Sequence, residues 1–179
     1  IDHPNVTGAI IDDFRDSVGP SANMSVDDLK EVYEALKSAN PALKLYLVRY
    51  SRQDAEELIP FLDYFDVINF WVWVSTDHYW RTLYHYDIEK LRTVCNKPIL
   101  QGTFMHNYGE DWEAAIPMDM LKLQCPKIAD EMRDGTVSDW IFLQNGWFCR
   151  ENHREALQWL KEYLEWYRGT WTRRQGVTL

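Results

Sequence analysis

The sequence predicts an α/β fold, a parallel (β/α) barrel of which five βα units are visible out of the eight in a complete barrel. Short apolar runs alternate with amphipathic stretches along the chain. Parallel neighbouring strands need a crossover helix between them, so this alternation indicates a parallel sheet. The first strand also lacks the Gly-rich turn of a dinucleotide-binding fold, which disfavours the rival interpretation, an open doubly wound sheet.

The length of the chain limits how much of a barrel it can form. A complete barrel usually needs about 250 residues, whereas this chain has 179. We interpret residues 1–179 as a single (β/α)-barrel domain, either reduced or the C-terminal portion of a barrel whose first three units lie upstream. An incomplete parallel sheet would expose its edges, which an upstream segment or a second chain would cover.

The first predicted strand, residues 6–11, ends at two adjacent carboxylates. It is an apolar run rich in β-branched residues, as is typical of a strand covered on both faces. Asp12 and Asp13 follow it directly. Ligands gather at the carboxyl ends of strands in α/β folds, so this pair is the first candidate site. The alternative is a helix cap or a turn, because Asp is favoured in both.

Two N-terminal caps place the first helices. Ser25 and Asp28 match a capping box, and the helix that they open ends at Asn40. Ser51 is predicted to cap the second helix, with Asp54 three residues on, and Pro60 would divide that helix into two short pieces. The remaining strands are predicted at residues 43–50, 66–73, 98–105 and 139–143.

The later helices are bounded by proline and glycine. One helix follows the loop at residues 76–78 and ends near Cys95, and a long loop then covers residues 106–117. The helix over residues 118–133 contains Pro126, which predicts a kink or break, and a C-cap glycine follows it at Gly135. A last helix over residues 152–168 is predicted to end at Gly169.

Composition and charge exclude several classes of protein. The net charge is -9 and no cluster of Lys and Arg is present, so nucleic acid is not an expected partner. No apolar run approaches the roughly 20 residues that span a bilayer. The three cysteines have no zinc or redox spacing, and we predict no metal and no cofactor. The cysteines do not indicate the cellular compartment, and a secreted or periplasmic location is favoured.

The predicted strand ends carry carboxylates, amides and aromatic rings. Flat aromatic faces pack against the C–H faces of sugars, while amides and carboxylates bind the hydroxyls, so this inventory favours a carbohydrate ligand. Nine tryptophans strengthen that interpretation. Besides the acid pair, the candidate binding residues are Arg49, Tyr50, Trp71, Trp73, Asp77, His106, Asn107, Tyr108, Gln144 and Trp147, and Asn145 lies among them.

With a strand that ends Ile10-Ile11-Asp12-Asp13-Phe14, the chain resembles the barrel-fold glycoside hydrolases. In the barrel hexosaminidases that use substrate assistance, two neighbouring acids divide the work: one orients the acetamido group of the substrate and the other protonates the leaving oxygen. The resemblance implies that Asp13 is the general acid and Asp12 the orienting carboxylate, or the reverse. It implies hydrolysis of a glycosidic bond.

Alternatives to this interpretation remain open. The commoner scheme needs a second acid across the site, and the available residues are Asp77, Glu110 and Asp111. If none of them reaches the pocket, the protein is predicted to be a non-catalytic glycan-binding or scaffold domain. Asp12 or Asp13 could also bind a divalent ion together with His106, although the spacing does not support this.

Overall fold

The fold is built on a parallel sheet whose strand order follows the chain. The structure, a computed structural model, describes residues 5–15, 24–108, 110–143, 146 and 149–174. Its strands are β1 (Gly8–Ile11), β2 (Lys44–Tyr50), β3 (Val67–Trp71), β4 (Ile99–Phe104), β5 (His106–Asn107), β6 (Asp111–Ala115) and β7 (Asp139–Leu143). The five-stranded parallel sheet has the order β1, β2, β3, β4, β7, and β5 pairs with β6 in a separate antiparallel hairpin.

Helices connect the strands of this sheet. The α-helices are α1 (Val26–Ala39), α2 (Tyr84–Val94), α3 (Met118–Arg133) and α4 (Arg154–Arg174). A 3₁₀ helix (Ala55–Tyr64) links β2 to β3, a π-helical turn (Tyr79–Leu83) leads into α2, and a short 3₁₀ turn (Glu151–His153) precedes α4. Among the described helices, none combines the length and the apolar character that crossing a membrane requires.

The two faces of the sheet have different surroundings. Leu45, Leu47 and Phe70 belong to the main core, where they pack with residues of the helices such as Leu29 and Ile88. Side chains alternate along a strand, so their neighbours in the chain project to the opposite face. That opposite face, which we call the open face, carries Val48, Tyr50 and Trp71, packed against Trp73, Phe104, Ile141 and Leu143.

The prediction of a (β/α) barrel is wrong. The described chain forms an open half-barrel in which β1 pairs with β2 and β7 pairs with β4, and no pairing joins β1 to β7. The alternation of strands and helices correctly predicts the parallel sheet and its five strands. Closure further requires a matched tilt and stagger around all the strands, with eight in this class of barrel, and five strands do not meet that requirement.

The predicted start of the second helix is also wrong. The 3₁₀ helix is capped by Asp54, whose carboxylate accepts from the Glu56 N–H, and not by Ser51. The Ser51 hydroxyl instead accepts a hydrogen bond from the Trp73 N–H at 3.1 Å. The capping box of α1 is confirmed, because Ser25 Oγ accepts from the Asp28 N–H at 3.1 Å and Asp28 accepts from the Ser25 N–H at 2.8 Å.

Three predictions about the C-terminal half need correction. The predicted loop over residues 106–117 contains the β5–β6 hairpin. Helix α3 runs through Pro126 without a break, since its buried residues Leu121, Cys125 and Ile128 pack into the core. Helix α4 continues past Gly169 to Arg174, because the backbone of this glycine is not in the left-handed region. Gly135 does have φ +78°, as its predicted cap position requires.

Candidate functional site

The open face of the sheet contains a cavity of about 360 Å³. All five strands of the parallel sheet contribute to it, directly or through the residue that follows the strand. The register places Val48 beside Asn69 and Tyr50 beside Trp71. The lining residues are Ile10, Asp12, Val48, Tyr50, Asn69, Trp71, Phe104, Tyr108, Ile141, Phe142 and Leu143. Its size and its mainly apolar lining, with a few polar groups, are typical of a small-molecule site.

The two adjacent carboxylates meet at the hydroxyl of one tyrosine. Tyr50 Oη lies 2.9 Å from Asp12 Oδ1 and 2.9 Å from Asp13 Oδ1, and the Asp13 N–H donates to Asp12 Oδ1 at 2.9 Å. Asp13 has φ 50°, in the left-handed region that Asp tolerates better than most residues. This turn after β1 directs both carboxylates to Tyr50, although consecutive side chains in a continuing strand would point to opposite faces.

The hydroxyl of Tyr50 has a single proton for these two acceptors. Burial, together with the hydrogen bonds to Asp12 and Asp13, raises the pKa of Tyr50 well above its ordinary value. The tyrosine therefore stays protonated at physiological pH and acts as a permanent hydrogen-bond donor to the carboxylate pair.

Five aromatic side chains, which we call the aromatic wall, adjoin the carboxylates. Ring centroids lie 4.8 Å apart for Tyr50 and Trp73, 4.7 Å for Trp73 and Tyr108, and 4.5 Å for Tyr108 and Phe104, which stack. Trp71 completes the wall, with its centroid 4.8 Å from that of Phe104. Trp73, Phe104 and Tyr108 are half-buried, so the wall retains exposed surface. The structure thus brings together four predicted site aromatics from three different parts of the chain.

Three residues at this site were not predicted from the sequence. The guanidinium of Arg52 lies over the rings of Trp73 and Tyr50, with its Cζ 4.2 Å and 5.2 Å from the respective centroids. Phe104 belongs to the aromatic wall, and Asn69 lines the cavity. The available signals were the position of Arg52 just after β2 and the presence of one amide in the otherwise apolar strand β3.

Several predicted residues lie away from the cavity. Arg49 is buried on the helix-covered side, where its guanidinium lies over the Phe70 ring, and burial lowers the pKa of Arg49. Asp77 is exposed and pairs with Arg81 at 2.7 Å. His106 and Asn107 form β5, and neither lines the cavity. His106 is buried, its ring contacts Tyr108, and burial together with the nearby His153 lowers its pKa.

The remaining predicted residues do not supply a second acid. Glu110 and Asp111 are exposed, and Asp111 Oδ1 accepts from the Glu113 N–H at 3.0 Å. Within the described ranges, Asp12 is the one acid that lines the cavity, with Asp13 joined to it through Tyr50. Gln144, Asn145 and Trp147 lie outside the described residues.

A metal site is not evident in the part of the chain that the structure describes. No group of three or more His, Cys, Asp or Glu residues there could hold a metal ion. The hypothesis that Asp12 or Asp13 binds a divalent ion with His106 therefore has no geometric support. The described chemistry of the site consists of two carboxylates, one permanent hydroxyl donor, the Arg52 guanidinium, one buried amide and the aromatic wall.

Comparison of the chain with protein-family models, with curated proteins and with solved structures found no match. The resemblance to barrel-fold glycoside hydrolases consequently gains no support from relatives. Fold similarity would in any case leave the function open, because function depends on the residues of a site. The geometry of the cavity is the basis for the proposal that follows.

Proposed function

We propose that the protein binds a carbohydrate in the cavity of the open face and hydrolyses a glycosidic bond with Asp12 and Asp13. The observation that carries this proposal is the hydrogen bonding of Tyr50 to both carboxylates at the border of an aromatic-lined cavity. Paired carboxylates supply acid and base groups, and aromatic faces bind the C–H surface of a sugar.

The position of each carboxylate supports a division of roles. Asp12 lines the cavity, whereas Asp13 is joined to it through Tyr50. Oδ1 of Asp12 accepts from both the Asp13 N–H and Tyr50, so within the described part of the chain Oδ2 is the oxygen that can receive a ligand. In this proposal Asp12 is the acid that protonates the leaving oxygen. Asp13 orients an acetamido group of the substrate, whose carbonyl oxygen attacks the anomeric carbon as the glycosidic bond breaks, and water then hydrolyses the cyclic intermediate. This division of roles is one of the two assignments that the sequence left open.

The separation of the carboxylates favours a retaining course of hydrolysis. Their Oδ1 atoms lie within two hydrogen-bond lengths of each other, because each is 2.9 Å from the same hydroxyl oxygen. Inverting enzymes hold their two carboxyl groups about 6.5 to 9.5 Å apart, to leave room for a water molecule. The pair described here is too close for that arrangement. Attack by the acetamido group and then by water are two successive displacements, so the anomeric configuration is expected to be retained.

Hydrolysis of a panel of 4-nitrophenyl glycosides tests the catalytic roles. Asp12→Asn and Asp13→Asn should each lower kcat/KM by about 100- to 10,000-fold, the usual contribution of general acid–base catalysis. Asp77→Asn is the matched control, because Asp77 is an exposed acid paired with Arg81 away from the cavity. Wild-type turnover in both Asp12→Asn and Asp13→Asn would contradict the proposal.

A non-catalytic glycan-binding role is the second candidate, and one observation favours it. Across the cavity from Asp12 the described residues include no further acid. A binding protein would hold the sugar through the aromatic wall, so affinity would survive Asp13→Asn but fall in Trp71→Ala, since Trp71 lines the cavity. Trp166→Ala is the control, since Trp166 is an exposed tryptophan on α4. Sugar binding without turnover of any glycoside in the panel would select this candidate.

A further inference from the structure

A buried amide lies in the wall of the cavity, in the middle of strand β3. The five residues of β3 are all buried, and Asn69 is the one polar residue among them. The Asn69 side chain is on the open face, two residues before Trp71, and its residue is 1% exposed. An apolar residue would suit a central strand of a parallel sheet at this position.

Among the described residues, the amide oxygen of Asn69 has no hydrogen-bond partner. Its Oδ1 is buried, and no protein group in the described chain donates to it. A buried polar atom without a partner destabilises the folded protein, and the great majority of such atoms in native proteins are satisfied. An unsatisfied acceptor that faces a cavity is explained if the donor arrives with a ligand.

The surroundings of Asn69 restrict what that donor can be. Val48 lies beside it in the register, and Ile10 and Ile141 line the same cavity. The unsatisfied oxygen among apolar groups matches a ligand that presents one hydroxyl there, flanked by C–H groups. A pyranose edge has this character, whereas an ionised phosphate or carboxylate has no proton to donate and would leave Oδ1 unsatisfied.

We infer that Asn69 is a specificity-determining residue, whose amide oxygen accepts a hydrogen bond from one hydroxyl of the bound sugar. This inference rests on the proposed function, because it assumes a carbohydrate in the cavity. It adds that a residue of β3, a rigid strand of the sheet, recognises one hydroxyl of the sugar. This recognition is separate from that by the carboxylate pair.

Removal of single hydroxyls from the ligand tests the inference. The probes are the methyl glycosides of glucose, galactose, mannose, xylose and N-acetylglucosamine, and the one that binds most tightly is then compared with its monodeoxy analogues by calorimetry. In the wild type, the analogue that lacks the hydroxyl bound by Asn69 should bind about 10-fold more weakly than the parent sugar. In Asn69→Leu that analogue and the parent sugar should bind equally, while every other analogue keeps its wild-type ratio.

The stability of the variants separates a structural role from recognition. Asn69→Leu has nearly the same size and removes an unsatisfied group, so its urea midpoint should match or exceed that of the wild type. Asn69→Val, which resembles Val48 and Val67 on the same face, serves if the leucine variant does not fold. Identical analogue ratios in the wild type and the variant would overturn the inference alone, and a wild type that binds none of the five glycosides would overturn the proposed function as well.

Discussion

Gly102 is required by the aromatic wall and not by its own backbone conformation. A Cβ atom at this position would lie 2.1 Å from Cδ2 of Trp71, because the indole packs directly on the backbone of β4. Gly102 is not among the described glycines with positive φ. The residue therefore provides space for Trp71, and through Trp71 it determines the shape of the cavity.

Gly102→Ala is expected to destabilise the protein by about 1 to 3 kcal/mol and to weaken sugar binding, since the added methyl must displace Trp71. Urea unfolding and calorimetry measure the two effects. Gly169→Ala is the control, because nothing lies within 4 Å of a Cβ there and the helix should gain about 0.5 to 1 kcal/mol. Equal stability changes in the two variants would show that Trp71 does not occupy the space over Gly102.

At the scale of single residues, the sequence predicts the exposed end of the site better than its interior. Asp12, Asp13 and Tyr50 could be predicted because they follow or end strands. Asn69 was missed, although it lies two residues before Trp71 and therefore shares the face of that predicted site residue. Arg49 was predictable in principle, because the alternation of side chains allows only one of Arg49 and Tyr50 to face the cavity.

At the scale of secondary-structure elements, Asp66 joins α1 to the sheet. Its Oδ2 accepts from Lys37 Nζ at 2.8 Å and from the Leu45 N–H at 2.8 Å, and its Oδ1 accepts from the Tyr33 hydroxyl at 3.3 Å. Partial burial alone would raise the pKa of Asp66, but these hydrogen bonds and the Lys37 charge outweigh it, and the pKa is lowered.

Asp66→Asn should lower the free energy of unfolding by about 1 to 3 kcal/mol, because Lys37 and the Leu45 N–H lose a charged acceptor. The contribution of Asp66 is present above its unfolded-state pKa and disappears as the pH falls through the folded-state value, so the wild type and the variant should converge in acid. Urea unfolding at neutral and acid pH measures this difference. Asp63→Asn, at an exposed acid in the same region, should leave stability unchanged, and a constant gap down to acid pH would contradict the assignment.

Local signals predict elements accurately, and tertiary contacts account for the errors. The capping box predicts the start of α1, and the apolar runs predict β2 and β7 closely. The error at Ser51 arises because its hydroxyl is used by the Trp73 N–H, 22 residues later in the chain. The β5–β6 hairpin was missed because its first strand has only two residues, too few for a periodic pattern.

At the scale of the whole molecule, a contact between His85 on α2 and Glu131 on α3 connects two helices that flank the sheet. His85 Nδ1 lies 2.6 Å from Oε1 of Glu131 on α3, and His85 Nε2 lies 3.2 Å from Glu89 within α2. Hydrogen bonding to Glu131 and its negative charge raise the pKa of His85. The side chain of His85 is 68% exposed, so solvent weakens this contribution.

The contribution of His85 to stability should therefore decline as the pH rises above about 6.5. A group whose folded-state pKa is raised stabilises fully below its unfolded-state value, about 6.5 for histidine, and loses that effect as the pH rises through the folded-state value. His85→Gln should remove this part of the pH dependence, and urea midpoints from about pH 5 to 9 measure it. His78→Gln, at an exposed histidine, is the control. A profile of His85→Gln that coincides with the wild type after a constant offset would contradict the role of His85.

For the molecule as a whole, the sequence predicts the parallel sheet but does not predict whether that sheet closes into a barrel. Alternating strands and helices indicate parallel neighbours, and the five strands do lie in chain order. Closure depends on a pairing between the outermost strands, which no local pattern in the sequence reports. The open face results from this difference, and it is where the cavity, the carboxylate pair and the aromatic wall lie.

The strand order also bears on how the chain can fold while it is being synthesised. Each strand of the sheet pairs with the one made just before it, so the sheet can grow in the order in which the chain leaves the ribosome. The longest connection between paired strands of the sheet joins β4 to β7 and contains the hairpin and α3. Since each doubling of a loop costs only about 0.6 kcal/mol in closure entropy, this insertion lengthens the connection without preventing orderly assembly.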